Sequence, residues 1–209
     1  MKALKACLDE GLKALALTLD DTAGEKLVAY VELLHKWNRA YNLTAVRDPL
    51  AMMTRHVLDS LTILPWVNGP TVLDVGSGPG LPGMVLAIVK PELQVTLLDS
   101  NGKKVRFQRQ AAMELGLDNV TPWHTRIEAL DGSVQFAQIT SRAFSSLHDF
   151  ITLSERALAS QGEWLAMRGR LEDDATDALP AGCHQIDCHV LNVPGDEGER
   201  HLIRLGRSM

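Results

Sequence analysis

Gly76, Gly78 and Gly80 recur at spacing two in VLDVGSGPGLPG, directly after an apolar run holding β-branched Thr71, Val72 and Val75. Buried parallel strands read as such runs. Glycine has no Cβ and reaches positive φ, so a backbone built from it can lie directly against a ligand. Leu81 to Lys90 then resumes an apolar helical pattern. Strand, glycine turn and helix make a nucleotide-cofactor cradle, with free N–H groups at the helix start expected to face the ligand. Asp99 closes the next apolar run, QVTLLD. It stands roughly 20 residues on, where a ribose-binding carboxylate belongs.

Two cofactor classes compete for this cradle. Gly78, Gly80 and Gly83 also fit G-x-G-x-x-G, the dinucleotide fingerprint. Three details favour S-adenosylmethionine. Asp74 sits inside the strand end, before the first glycine, and could meet a cationic or amino group. The glycines read better as G-x-G-x-G from Gly76. Pro79 and Pro82 remove two N–H donors, which suits a pyrophosphate poorly and a cofactor without phosphate well.

Cations form a second group. Lys103, Lys104, Arg106 and Arg109 crowd the first turns of a helix in NGKKVRFQRQ. Cations there oppose the helix macrodipole, by roughly 0.3–1 kcal/mol each. A sequence tuned only for stability would put acids there. The choices are a solvated face, because surface effects are small, or contact with phosphates. Arg126, Arg142, Arg168 and Arg170 fall at or after strand C-termini, on the cradle side. Together these residues make a basic rim on an acidic chain.

A third group lies earlier, in WNRAYNLTA and RHVLDSL. Asn38 and Asn42 are four apart and share a helix face; His56, Asp59 and Ser60 follow at helical spacing. Caps and core hydrogen bonds would account for them. So would a polar wall facing a cofactor's methyl group. Absent motifs narrow the chemistry further. TSRAFSSL stands where adenine-amine methylases carry D/N-P-P-Y/F/W, and no Pro-Cys pair offers a covalent nucleophile for pyrimidine C5. Cys183-His184 and Cys188-His189 match no structural zinc spacing, so no metal is expected.

The elements that must position these groups follow from periodicity. Residues 2–17 form a short helix, and Leu27, Tyr30, Val31, Leu34, Trp37 and Tyr41 trace the apolar stripe of another. Asp48-Pro49 caps a helix whose stripe is Met53, Val57, Leu61 and Leu64. From Thr71 the pattern alternates. Strands are expected at 71–75, 94–98, 119–124, 136–141 and 163–168, with helices at 81–90, 102–116 and 147–159. Alternation implies a parallel sheet with ligands at the strand C-termini. After the acidic stretch LEDDATDALP, segments 185–193 and 200–206 suggest an antiparallel pair at the sheet edge.

Composition bounds the whole. At 209 residues and 45% hydrophobic content, the chain holds one α/β domain plus an extension, or two small units. Its net charge of −5 argues against broad, nonspecific nucleic-acid binding but permits a local basic patch. No apolar run reaches the ~20 residues that span a membrane. The lysine- and acid-interrupted N-terminus is not a signal peptide. Three scattered cysteines give no disulfide framework. A reduced, cytoplasmic protein is expected.

WNRAYNLTA, RHVLDSL, VLDVGSGPGLPG, LLDSNGKKVRF, TSRAFSSL and GERHL, in this order and spacing, resemble the ribosomal RNA small-subunit methyltransferase G family, also called glucose-inhibited division protein B. The resemblance covers about residues 25 to 205. It implies an α/β, class I S-adenosylmethionine-dependent fold: a Rossmann-like, seven-stranded, mostly parallel sheet (67–209) behind an N-terminal helical extension (1–66). It implies methyl transfer to N7 of one guanine in the 530 loop of bacterial 16S rRNA, leaving S-adenosylhomocysteine.

By motif, the resemblance puts the cofactor against Gly76, Gly78 and Leu81, its ribose on Asp99, and its adenine between Ile127 and Glu128. Arg142 is expected at the cofactor edge near the RNA, as first choice for the guanine O6 edge, with Asn38 and His56 in positioning roles. RNA contacts are expected from Lys103, Lys104, Arg106, Arg109 and Arg168. Arg168-Gly169 departs from the family's usual Lys-Gly. The expected partner is 16S rRNA or the small ribosomal subunit, with no membrane and no stable protein partner, the chain acting as a monomer. A nicotinamide oxidoreductase, a non-catalytic S-adenosylmethionine sensor and a small-molecule methyltransferase stay open at this point.

Overall fold

Apolar runs and helical stripes assemble into a seven-stranded sheet with helices on both faces. The computed structural model describes residues 1–142, 144, 146–169 and 178–208; Arg170 and the acidic stretch 171–177 lie outside them. The strands are β1 (Thr71–Val75), β2 (Gln94–Asp99), β3 (Val120–His124), β4 (Phe136–Ser141), β5 (Leu158–Arg168), β6 (Cys183–Val190) and β7 (His201–Arg207). Their order is β3-β2-β1-β4-β5-β7-β6. The pairings β1–β2, β2–β3, β1–β4 and β4–β5 are parallel, while β7 runs antiparallel to both its neighbours.

The order reverses at β1: β2 and β3 build outward on one side of it, β4 and β5 on the other. In open α/β sheets the ligand crevice opens at such a switch point, beyond the strand C-termini. Here the Ser141 hydroxyl, ending β4, donates to the Val75 carbonyl that ends β1, at 2.8 Å.

Helices α1 (Lys2–Ala14) and α2 (Asp21–Tyr41) precede a rod made of α3 (Pro49–Met52), a π-helical turn (Met53–Leu58) and α4 (Asp59–Leu61). Helices α5 (Gly83–Val89), α6 (Gly102–Glu114) and α7 (Leu147–Ser154) alternate with the strands. Caps follow local chemistry: Asp20 and Asp48 each accept a backbone N–H three residues on, at 2.7 Å. Asn42 ends α2 in the left-handed region at φ 51°, which asparagine tolerates.

Neighbouring strand residues face opposite layers. Val72, Val95, Leu97 and Leu165 point into a core shared with Leu27, Tyr30, Met52, Leu61 and Phe107, so the N-terminal helices are continuous with one sheet face. Leu73, Leu98, Ile139 and Trp164 point into a second core with Phe150 of α7. Among the described residues no helix is long and apolar enough to cross a membrane.

Two expected boundaries move the most. The helix expected over 147–159 ends at Ser154, and β5 begins at Leu158, where it pairs with Phe136. Ala157 and Leu158 are buried, so the apolar pattern runs unbroken through the change of structure. The C-terminal hairpin forms, but its second strand inserts between β5 and β6, leaving β6 at the edge.

Gly83 packs α5 against the sheet: a Cβ there would lie 2.4 Å from Leu97 Cδ2 and 2.9 Å from Asp74 Oδ2. Gly83→Ala should therefore cost about 1–3 kcal/mol, lowering Tm by roughly 2–12 °C. Gly24, inside α2, has nothing within 4 Å of such a Cβ. Gly24→Ala should stabilise by about 0.5–1 kcal/mol. Thermal melts that reverse this order would contradict the packing of α5.

Candidate functional site

The glycine turn is held from behind on both sides. The Gly78 N–H donates to Asp99 Oδ2, and the Gly83 N–H to Asp74 Oδ2, each at 2.8 Å. Gly76 and Ser77 donate to the Leu98 carbonyl, Gly80 and Leu81 to the Ser77 carbonyl, and Met84 to the Gly80 carbonyl. Pro79 and Pro82 have no N–H. Every N–H from Gly76 to Met84 is thus spent inside the protein. The free donors expected at the helix start are absent from this stretch: its turn hydrogen bonds and the Asp74 carboxylate consume them. A pyrophosphate would find no cradle here, which removes the main support for the dinucleotide reading.

Side chains complete the frame. Gln108 on α6 donates to the Ser77 hydroxyl at 2.9 Å and to the Gly78 carbonyl at 2.8 Å. The Tyr30 hydroxyl, buried on α2, donates to the Pro79 carbonyl at 3.0 Å. Burial pushes that hydroxyl far above the ordinary tyrosine range, so it stays protonated as a donor. Neither residue was singled out for this role from sequence. The signal was faint: Gln108 and Tyr30 are polar groups on the apolar faces of their helices.

Two depressions meet at Gly76. One, of about 330 Å³, is lined by Asp99, Lys104, Arg126, Ile127, Glu128 and Phe144. Asp99 Oδ1 accepts the Asn101 N–H at 2.8 Å, and Lys104 Nζ lies 3.8 Å from Asp99 Oδ2. A carboxylate oxygen has two lone pairs, so Asp99 keeps acceptor capacity for a ribose diol. Buried Ile127 offers an apolar wall beside it. The other, of about 450 Å³, runs past Gly78 and Leu81 to Arg55, His56, Arg142 and Arg168. The structure therefore places Gly76, Gly78, Leu81, Asp99, Ile127, Glu128 and Arg142 on the linings of two depressions that share Gly76.

The N-terminal helices build the far wall. Asn38 is buried: it donates to the Val46 carbonyl at 3.0 Å and accepts the Thr44 N–H at 2.9 Å. It holds the loop after α2 and does not line the cavity. That loop brings the Thr44 hydroxyl 2.8 Å from His56 Nε2. His56 Nδ1 lies 3.0 Å from the Arg55 carbonyl, which can only accept, so Nδ1 carries the proton and Nε2 accepts from Thr44. Burial and the Arg142 charge pull His56 down to about 4, so the ring is neutral.

Arg142 Nη1 donates to Asp59 Oδ2 at 2.7 Å. Arg200 Nε lies 3.3 Å from the other Asp59 oxygen. Asp59 was visible from sequence as the i+3 neighbour of His56, and Arg200 as part of GERHL; their pairing was not, because they are far apart in the chain.

The basic rim divides. Lys104 turns into the cofactor-side cleft, and Arg142 and Arg168 line the larger cavity. Arg168 donates to the Phe144 carbonyl. Arg106 and Arg109 line a separate depression with His124, beside edge strand β3, and Lys103 is exposed on α6.

Comparison with known proteins agrees with this geometry. The family model for rRNA small subunit methyltransferase G matches residues 23–203. Ribosomal RNA small subunit methyltransferase G of Chromohalobacter salexigens is 55% identical over 206 residues, 99% of each chain. The protein of that name from Marinobacter nauticus is 53% identical over 96% of this chain and 94% of its own. Among solved structures, TrmN from Thermus thermophilus superposes with TM-score 0.56 at 20% identity, over 81% of this chain and 53% of that one. TYW2 of M. jannaschii in complex with AdoMet gives TM-score 0.53 at 14% identity, over 71% and 74%. At such identities these two speak for the fold.

Burial also pushes Asp74 up to about 7, the Gly83 N–H offsetting part of the effect. An acid with a raised folded pKa contributes stability that is complete below its unfolded value and is lost as pH rises to about 7. His56 has the opposite sign: its contribution is complete above the unfolded imidazole value and is lost as pH falls towards about 4. The two slopes oppose each other in the native protein. Relative to the native chain, the Tm of Asp74→Asn should rise as pH goes from about 4 to about 7. That of His56→Gln should rise as pH goes the other way. Differences that stay flat with pH would contradict these environments.

Proposed function

The chain belongs to the rRNA small subunit methyltransferase G family, and from that premise we propose that it methylates N7 of one guanine in the 530 loop of bacterial 16S rRNA. It is an S-adenosylmethionine-dependent methyltransferase. That cofactor supplies an electrophilic sulfonium methyl group. Asp99, Gly76, Gly78, Leu81, Ile127 and Glu128 are the residues that would hold it. The prebuilt turn, with its donors spent and Asp99 open to a diol, fits a nucleoside that carries no phosphate.

One observation carries the N7 assignment: the acid–base groups packed against Arg142, His56 and Asp59, are neutral or ion-paired. His56 is neutral, with both nitrogens engaged. Asp59 is paired with two arginines. Guanine N7 has an in-plane lone pair and no proton to lose, so its methylation needs orientation rather than a base. Alignment of reactants alone is worth on the order of 7–11 kcal/mol. A site methylating an exocyclic amine would need somewhere for a proton to go.

In this reading Arg142 meets the guanine O6 edge, the commonest arginine–base contact. Asn38 acts at a distance, by fixing the loop after α2, and His56 lines the cavity while holding Thr44 of that loop. Arg168, Lys103, Lys104, Arg106 and Arg109 meet RNA phosphates, which reconciles an acidic chain with an anionic substrate. Residues 1–66 form the helical cover and 67–209 the methyl-transfer unit. The chain works as a monomer, in the cytoplasm where small subunits are assembled.

His201 Nδ1 lies 2.7 Å from the Gly169 carbonyl, which can only accept, so Nδ1 donates; the ring lines the same cavity. It is the imidazole best placed to act as a base if one were needed. Losing a general base costs about 100- to 10,000-fold. His201→Gln should instead leave kcat nearly unchanged. Arg142→Ala should lose roughly 5- to 150-fold in kcat/KM, the equivalent of about 1–3 kcal/mol for one arginine–guanine contact. Nucleoside mass analysis of 16S rRNA methylated by the purified protein should show 7-methylguanosine. A different methylated nucleoside, or loss of activity in His201→Gln on the scale of a missing base, would overturn the reading.

A further inference from the structure

Asp59 is 4% exposed and sits where the π-helical turn gives way to α4. Both its oxygens face guanidinium groups from distant parts of the chain. Arg142, just after β4, gives Nη1 to Oδ2 at 2.7 Å and reaches the Arg55 carbonyl at 3.4 Å with the same nitrogen. Arg200, just before β7, puts Nε 3.3 Å from Oδ1. The two arginines are used differently. Arg200 also gives Nη1 to the Glu199 carbonyl at 2.8 Å and Nη2 to Asp196 at 3.2 Å, while its Nε meets Asp59 Oδ1 as an ion pair without a hydrogen bond. Arg142 has no partner for Nη2 or Nε among the described residues, and it lines the cavity.

We propose that Asp59 is a positioning residue for methyl transfer: braced by Arg200, its carboxylate fixes the Arg142 guanidinium so that the unpartnered edge faces the target base. An arginine side chain is rich in rotamers, and a planar fork reads a base edge only when its plane is set. Arg200 holds the carboxylate from the far side, and Asp196 holds Arg200. Two acids and two arginines balance, so the network fixes Arg142 without adding net charge to the cavity. The N-terminal rod is thereby part of the reacting centre, because it supplies the group that orients Arg142.

The inference rests on the rRNA methyltransferase reading, and its test does not depend on which atom is methylated, because total methyl incorporation into small-subunit RNA is the readout. The experiment is a double-mutant cycle of Asp59→Asn with Arg142→Ala, with S-adenosylhomocysteine affinity measured by calorimetry. Asp59→Asn should lower kcat/KM for RNA about as much as Arg142→Ala, while affinity for S-adenosylhomocysteine stays within about twofold. The double variant should be no slower than Arg142→Ala alone, since residues acting as a unit are not additive. Arg200→Gln is the second entry to the cycle should Asp59→Asn fold poorly, and its loss should also vanish in the Arg142→Ala background. Losses that multiply in the double variants, or a native rate in both Asp59→Asn and Arg200→Gln, would overturn the proposal and leave Asp59 a structural ion-pair partner.

Discussion

A carboxylate at the end of each of two neighbouring strands clasps the glycine turn between them. Asp99 takes the Gly78 N–H and Asp74 takes the Gly83 N–H. Everything at the site follows from that clasp. It fixes the path of the turn before any ligand arrives, so binding does not have to order the loop. It also consumes the backbone donors that a phosphate would need. The N-terminal helices add a third hold through Tyr30 on the Pro79 carbonyl. The extension is thus joined to the cradle by a buried hydrogen bond as well as by a shared core.

Charge is organised around the same cleft. The chain is acidic overall, at −5, yet arginines from the rod, β4, β5 and the start of β7 converge on the larger cavity. The acids close to them are buried or paired. Asp74 holds its proton more tightly than an ordinary carboxylate because it is buried, and Asp59 is enclosed by Arg142 and Arg200. The outcome is a cavity lined by arginines whose neighbouring carboxylate, Asp59, is held in ion pairs. The proposed reaction asks for such a cavity, since a purine ring nitrogen has no proton to lose on methylation.

Much of this was legible in the chain itself. The β1 run, the three glycines and Asp99 were adjacent enough to be read as one unit, and the structure brings them together. The alternation of runs from Thr71 onward fixed the sheet class, because buried strands and amphipathic helices carry different periods. What failed to show was long-range or hidden by uniform pattern. Leu158 looks like the end of a helix because its burial continues the apolar stripe, although it starts β5. The use of the turn's N–H groups could not be read, since glycine and proline positions say which donors exist but not where they point. Lys104 and Arg106 are neighbours in sequence but, two residues apart on a helix, face different depressions. The Asp59–Arg142–Arg200 cluster joins three strings visible one by one, RHVLDSL, TSRAFSSL and GERHL, whose pairing no local pattern could show.

The central claim is that the turn is prebuilt for a nucleoside without phosphate. A crystal structure with S-adenosylhomocysteine tests it most directly. The account predicts the ribose hydroxyls on Asp99, the adenine against Ile127, and the Gly78 and Gly83 amides still bonded to Asp99 and Asp74. A ligand seated elsewhere, or a turn whose amides have left both carboxylates to bind it, would contradict the account.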